Sequence, residues 1–206
     1  MFISFDGVDG AGKSTQVRLL REWLAARGKQ VVTCRDPGST SLGEKLRDVL
    51  LSHHDVPIHR RSEMLLYMAA RSQLVEEVIR PALERGECVI SDRYLLANVV
   101  YQAHAGGQDC EQVWQTGRVA TGGLMPDLTI VLDMPAAAAK ERQGRPPDRM
   151  EAQGLEYMER VRQGFLKEAA AARIPIVVVS AAQSPEEVHA QVLRHIEPLL
   201  ARGAAR

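Results

Sequence analysis

Gly7-Val8-Asp9-Gly10-Ala11-Gly12-Lys13-Ser14-Thr15 decides the fold. A short apolar run, Phe2–Phe5, precedes it and an amphipathic stretch, Lys13–Arg27, follows. The segment therefore reads as a glycine-rich turn between a strand and a helix, with P-loop spacing. Its glycines let the backbone curl tightly and aim successive N–H groups inward, toward phosphate oxygens. The helix that starts near Lys13 adds the positive end of its dipole. Gly7 through Thr15 are expected to cradle a nucleoside triphosphate, with Lys13 at the β- and γ-phosphates and the Ser14 hydroxyl on Mg²⁺.

Outward from the loop, short β-rich runs alternate with longer helical patterns. Phe2–Phe5, Gln30–Cys34, Cys88–Ser91, Leu128–Asp133 and Pro175–Val179 read as strands. Lys13–Arg27, Leu42–Leu51, Ser62–Arg85, Ala136–Arg142, Leu155–Arg173 and Pro185–Ala201 read as helices. Such alternation predicts an α/β protein of three layers, a P-loop NTPase fold with a five-stranded parallel sheet and helices on both faces. Gly28 and Gly86 are stop signals, and Ser184-Pro185-Glu186-Glu187 is a start signal. Gln102–Asp109, with Gly106-Gly107, reads as a surface loop, and the tail after Leu200 as frayed. A single domain over 1–206 is expected, with a lid at about 142–151, where Gly144 and Pro146-Pro147 lie between arginines.

The chain of 206 residues is 45% hydrophobic and 25% charged, which fits one globular domain rather than two. Acidic and basic residues balance at 26 each, so no nucleic-acid partner is implied. Cys34, Cys88 and Cys110 are too few and scattered for a disulfide framework, and reduced thiols are expected. The opening Met1-Phe2-Ile3-Ser4-Phe5 meets Asp6 at once and is not read as a signal peptide, and no apolar run reaches spanning length. A cytoplasmic protein without a membrane partner is the expectation. The six histidines, including His53-His54, show no ligand spacing, so no zinc is assigned.

Further constellations suggest an acceptor site. Cys88–Ser91 runs directly into Asp92 and Arg93, at the strand end where open parallel sheets bind ligands. Asp92 is assigned to Mg²⁺ and Arg93 to a transferring or accepting phosphate. Tyr67 and Arg71 share a helix face that is otherwise apolar. Either they meet a ligand base, by stacking and by donation to a carbonyl, or Tyr67 is core and Arg71 snorkels to solvent. Arg142, Arg145 and Arg149 fit a cationic lid or a solvated basic loop equally. Asp133, after an apolar strand, leaves room for a hydrolytic ATPase.

Taken together, the chain resembles the thymidylate kinase (dTMP kinase) family along nearly its whole length. The resemblance is carried by Phe5 through Gln16, Arg35-Asp36-Pro37-Gly38, Ala69-Ala70-Arg71 and Ser91-Asp92-Arg93-Tyr94. Tyr101-Gln102, Pro126-Asp127-Leu128-Thr129 and Asp148-Arg149-Met150-Glu151 extend it. It implies transfer of the γ-phosphoryl of MgATP to dTMP, and a homodimer. It further implies that Tyr67 stacks on thymine, Arg71 reads a base carbonyl and Asn98 meets the pyrimidine edge. Tyr101 would crowd the 2′ position, and Arg93, with Arg47 as a weaker candidate, would hold the acceptor phosphate. Asp9 would stand near the acceptor sugar and metal, and Asp36, Pro37 and Gln102 would line the acceptor site. With no arginine in the P-loop, the catalytic arginine is expected from the lid, Arg145 before Arg142. Asp6 and Asp36 stand where the family more usually has glutamate. Two rivals remain: a kinase for another acceptor, such as a deoxynucleoside or a different pyrimidine monophosphate, and a switch-like P-loop ATPase.

Overall fold

The computed structural model describes residues 1–52, 57–144 and 146–203. Five strands, β1 (Phe2–Asp6), β2 (Val31–Arg35), β3 (Cys88–Asp92), β4 (Leu128–Asp133) and β5 (Ile176–Ser180), form one sheet in the order β2-β3-β1-β4-β5. Every pairing is parallel, with Ile3 opposite Ile90 on one side and Leu128 on the other. β1 is buried at all five positions, as a central strand covered on both faces must be, whereas the edge strands β2 and β5 are only partly buried. The chain leaves β1 toward β2 and β3 and later crosses to β4 on the other side. The carboxyl ends of β1, β3 and β4 therefore open the crevice where such sheets hold ligands.

Nine α-helical segments surround the sheet among the described residues: α1 (Lys13–Ala25), α2 (Ser41–Leu51), α3 (Arg60–Leu74), α4 (Arg80–Glu84), α5 (Leu95–Asn98), α6 (Cys110–Thr121), α7 (Ala136–Glu141), α8 (Leu155–Ala171) and α9 (Pro185–Gly203). α9 starts with a reciprocal capping box, Ser184 N to Glu187 Oε2 at 2.9 Å and Glu187 N to Ser184 Oγ at 3.3 Å. It runs past the expected frayed start to Gly203, and 204–206 lie outside the described residues. α3 and α4 are one long helix joined by a π-helical turn, Val75–Ile79, just before Pro81. Proline has no N–H to give the preceding turn, and the wider turn absorbs that missing bond.

Two helices were not expected. Leu95–Asn98 continues as a π-helical segment, Val99–Ala105, so the loop expected at Gln102–Asp109 begins only at Gly106. Positions 94–103 are all buried, so this helix shows no polar face and no helical periodicity to read. α6 is capped by Asp109, whose Oδ1 accepts from Gln112 N at 2.8 Å. Gly117 interrupts its pattern for a packing reason: a Cβ there would stand 2.1 Å from Leu95 Cδ1. Among the described residues no helix is long and apolar enough to cross a membrane.

Candidate active site

Two clefts open at the carboxyl edge of the sheet, and Asp9 lines both. One, of about 1180 Å³, is lined by Asp9 through Gln16, by Asp92, and by Arg142, Gln143 and Gly144 of the expected lid. The other, of about 550 Å³, contains all nine residues assigned to the acceptor: Asp36, Pro37, Arg47, Tyr67, Arg71, Arg93, Asn98, Tyr101 and Gln102.

The P-loop wraps as its glycines predict. Gly10 and Gly12 have φ of 90° and 92°, and a Cβ at Gly10 would stand 2.0 Å from the Ala139 carbonyl oxygen. Lys13 is buried, and its Nζ donates to Gly7 O (3.1 Å), Val8 O (3.0 Å) and Asp9 Oδ1 (3.2 Å). Gly7 and Val8 thus hold the lysine with their carbonyls rather than line the cleft. Ser14 Oγ donates to Asp92 Oδ2 at 3.2 Å. A hydroxyl beside a carboxylate at the foot of a phosphate loop is an all-oxygen donor set of the kind Mg²⁺ takes.

Asp9 and Arg93 form the bridge between the clefts. Arg93 Nη2 lies 2.7 Å from Asp9 Oδ1 and 3.1 Å from the Tyr101 hydroxyl, and its guanidinium sits 4.9 Å from the Tyr101 ring centre. Burial alone would push the Asp9 carboxyl up, but Arg93 and Lys13 hold it well below the usual carboxylate range. Burial opposes the charge on Arg93 too, and Asp9 outweighs it, so the guanidinium is firmly charged. Arg93 Nη1 is buried without a partner. Its backbone is in the left-handed region at φ 70°, directly after β3. An unspent donor on a backbone held off its preferred region suits a group that waits for an anion.

In the acceptor cleft Arg71 is buried, which removes the snorkelling alternative. Its partner is Asp36: Nε to Oδ2 is 2.5 Å, and both side chains are at most 1% exposed. Nη2 donates to Tyr94 O at 3.3 Å, while Nη1 meets only the Met68 sulfur at 3.2 Å, a weak acceptor. Asp36 Oδ1 and Asn98 Oδ1 are buried and unpartnered. Three orphaned polar atoms around one cleft are what a site shows when its ligand supplies the missing bonds. Arg47 Nη1 is tied to Pro37 O at 2.9 Å. Gln102 lies in the wall with both ends of its amide engaged, by Asn98 and Glu63.

Of the lid arginines, Arg142 lines the P-loop cleft and donates to Ala181 O at 3.0 Å. Arg149 turns the other way, donating to Leu50 O at 2.6 Å and pairing with Glu63. Arg145, the favoured catalytic candidate, lies outside the described residues, as do His53 and His54. Asp133, the possible hydrolytic acid, is held bidentately by Arg162 at 2.7 and 3.1 Å, which withdraws it from the P-loop. Residues not foreseen include Asp148 and Met150 in the acceptor cleft and Ala181, Gln183 and Val188 beside the P-loop. The Asp148–Glu151 run was visible in sequence, whereas the segment after β5 carried only the helix start signal Ser184–Glu187, which says nothing of the P-loop.

Among the described residues one group of possible metal ligands does assemble, with ligand atoms of His104, Cys110 and Glu168 all within 4.8 Å of one another. His104 Nε2 and Glu168 Oε1 are 2.7 Å apart, closer than the roughly 3.3 Å between two ligands of a tetrahedral zinc. Trp114 Nε1 holds the other Glu168 oxygen at 3.3 Å, so the group reads as a hydrogen-bonded tie between helices.

Asp6, at the end of β1, has both carboxylate oxygens buried and unpartnered. Burial pushes its pKa up to about 7, against the pull of Arg93 and Lys13. A raised carboxyl favours folding when protonated, so its contribution is greatest below the unfolded value of 3.8 and is lost as pH rises to about 7. The stability gain from Asp6→Asn in the ligand-free protein should therefore grow by about 2–3 kcal/mol between pH 5 and pH 8. Urea unfolding at the two pH values checks this, and an equal effect at both would contradict it.

The family model described as Thymidylate kinase matches residues 5–192. A thymidylate kinase of Rhodopirellula baltica is 48% identical over 195 residues, covering 95% of this chain and 79% of that one. A thymidylate kinase of Caldanaerobacter subterraneus subsp. tengcongensis is 42% identical over 200 residues, covering 97% and 96%. Among solved structures, thymidylate kinase from Ehrlichia chaffeensis superposes with a TM-score of 0.77 at 29% identity, covering 95% of this chain and 98% of that one.

Proposed function

The chain belongs to the thymidylate kinase family, and from that premise we propose that it transfers the γ-phosphoryl group of ATP to dTMP, giving dTDP and ADP. The observation that carries this reading is the meeting of two clefts at the Asp9–Arg93 pair, one floored by the P-loop and one ringed by unpaired polar atoms.

In this reading the dTMP phosphate is already an anionic nucleophile, so no strong general base is needed. Alignment and charge neutralisation do the work. Arg93 takes the acceptor phosphate with its free Nη1 while Asp9 fixes the guanidinium from the other side. Lys13 exchanges carbonyl and Asp9 contacts for phosphate oxygens. Ser14 and Asp92 would hold Mg²⁺, which supplies charge neutralisation on the triphosphate when bound. Tyr67 stacks on the thymine, Arg71 donates to its carbonyl, and Tyr101 crowds the 2′ position. Segment 142–151 serves as a lid, with Arg142 already beside the P-loop cleft.

The protein acts in the cytoplasm as a homodimer. Free cysteines fit the compartment. Exposed Leu42 and Val49 on α2, Leu65 on α3 and Val119 on α6 supply an apolar surface on neighbouring helices for a second copy. Incubation with MgATP and each nucleoside monophosphate, following ADP and diphosphate product together, tests the activity. Rapid dTDP formation is expected, with dUMP poorer and ribonucleotides poorest. ADP release indifferent to any acceptor would favour the ATPase reading instead.

A further inference from the structure

A chain of four side chains runs from the expected lid segment into the acceptor cleft. Arg149 pairs with Glu63 Oε2 on α3. Glu63 Oε1 accepts from Gln102 Nε2 at 3.0 Å, and Gln102 Oε1 accepts from Asn98 Nδ2 at 2.7 Å. Glu63 is 8% exposed, and Gln102 and Asn98 are 2% exposed each. At the far end Asn98 Oδ1 is left buried, unpartnered and in the wall of the cleft.

An amide has no intrinsic preference for which end it shows a neighbour, whereas a carboxylate paired with a guanidinium offers only acceptors. Glu63 therefore forces Gln102 to turn its NH₂ inward and its oxygen toward Asn98. Asn98 must then spend its own NH₂ on Gln102. We propose that Glu63 is a positioning residue for base selection, fixing the polarity of the Gln102–Asn98 pair so that the cleft meets its ligand with an acceptor. This rests on the cleft being the pyrimidine monophosphate site. A thymine ring brings an N3–H donor to that position; a cytosine ring brings an N3 lone pair and is opposed.

Glu63→Gln inverts the chain at almost unchanged volume. Arg149 takes the new side-chain oxygen, the new NH₂ faces Gln102, both downstream amides reverse, and Asn98 shows the cleft a donor. A site built to hydrogen-bond one partner rejects the wrong one strongly. The kcat/KM ratio of dTMP to dCMP should accordingly fall at least about tenfold in Glu63→Gln, mainly through a higher KM for dTMP. In an Asn98→Ala background the same change should leave the ratio where it stands. Circular dichroism and thermal melting establish that each variant is folded. If Glu63→Gln does not fold, Gln102→Leu cuts the chain one link further on and should also lower the ratio. Wild-type protein is assayed first, so absence of dTDP there would overturn the functional reading itself. An active wild type with an unchanged ratio in the folded variant would overturn only the role of Glu63.

Discussion

Arg93→Ala should lower kcat on dTMP by about 10²–10³ while the protein stays folded. Arg93 joins the two clefts, has one nitrogen committed to Asp9 at 2.7 Å, and keeps Nη1 buried and unspent. Such a preorganised donor costs nothing to orient as charge moves between the phosphates, and its removal acts on the transition state more than on binding. The fold should survive because Asp9 retains Lys13 at 3.2 Å. Alanine is also no worse than arginine in the left-handed backbone at φ 70°. Arg93→Lys should recover only part of the rate, since an ammonium cannot reach Asp9 and a phosphate with a planar fork. Steady-state kinetics with a thermal melt reads both effects. A folded, fully active Arg93→Ala protein would remove this residue from the mechanism.

The largest loss of stability is expected from Arg71→Leu, on the order of 3–5 kcal/mol. The substitution strands Asp36, which is buried directly after β2 and held by Arg71 at 2.5 Å. Burial already pushes the Asp36 carboxyl above its ordinary range against the pull of Arg71, and without that pull it rises further. The folded-state pKa lies above the unfolded one, so the deficit should be largest at neutral pH and narrow as pH falls and Asp36 protonates. Adding Asp36→Leu should restore part of the stability, because losing both members of a buried pair costs less than losing one. Neither variant should bind dTMP well, since Arg71 Nη1, met only by the Met68 sulfur, is lost from the base pocket. Urea unfolding across pH and dTMP titration measure the two effects. A mildly destabilised Arg71→Leu with unaltered pH dependence would mean the pair is better solvated than its burial indicates.

How much the sequence disclosed follows from where local rules suffice. The turn of the P-loop was legible because glycine spacing encodes backbone geometry, as the positive φ of Gly10 and Gly12 shows. The five strands were legible because a fully covered parallel sheet needs continuous apolar runs, as at Cys88–Ser91 and Leu128–Asp133. Leu95–Ala105 was not, since a helix buried on every side has lost the alternation that marks helices, and Gly106-Gly107 made its end look like loop. Glu63 carried no local signal either. Its meaning comes from Gln102, thirty-nine positions away, and from Arg149, eighty-six away. The partner that Arg71 required could be inferred from the cost of burying charge, but only the folded chain identifies it as Asp36.

In the proposed reaction the two clefts hold donor and acceptor at once, face to face across Asp9 and Arg93. Inhibition by adenosine and thymidine joined 5′ to 5′ through five phosphates tests it most directly. Competition against both ATP and dTMP, with affinity far above that of either nucleotide alone, is the predicted result. Competition against ATP alone, with dTMP kinetics untouched, would contradict it and leave the second cleft without its assigned ligand.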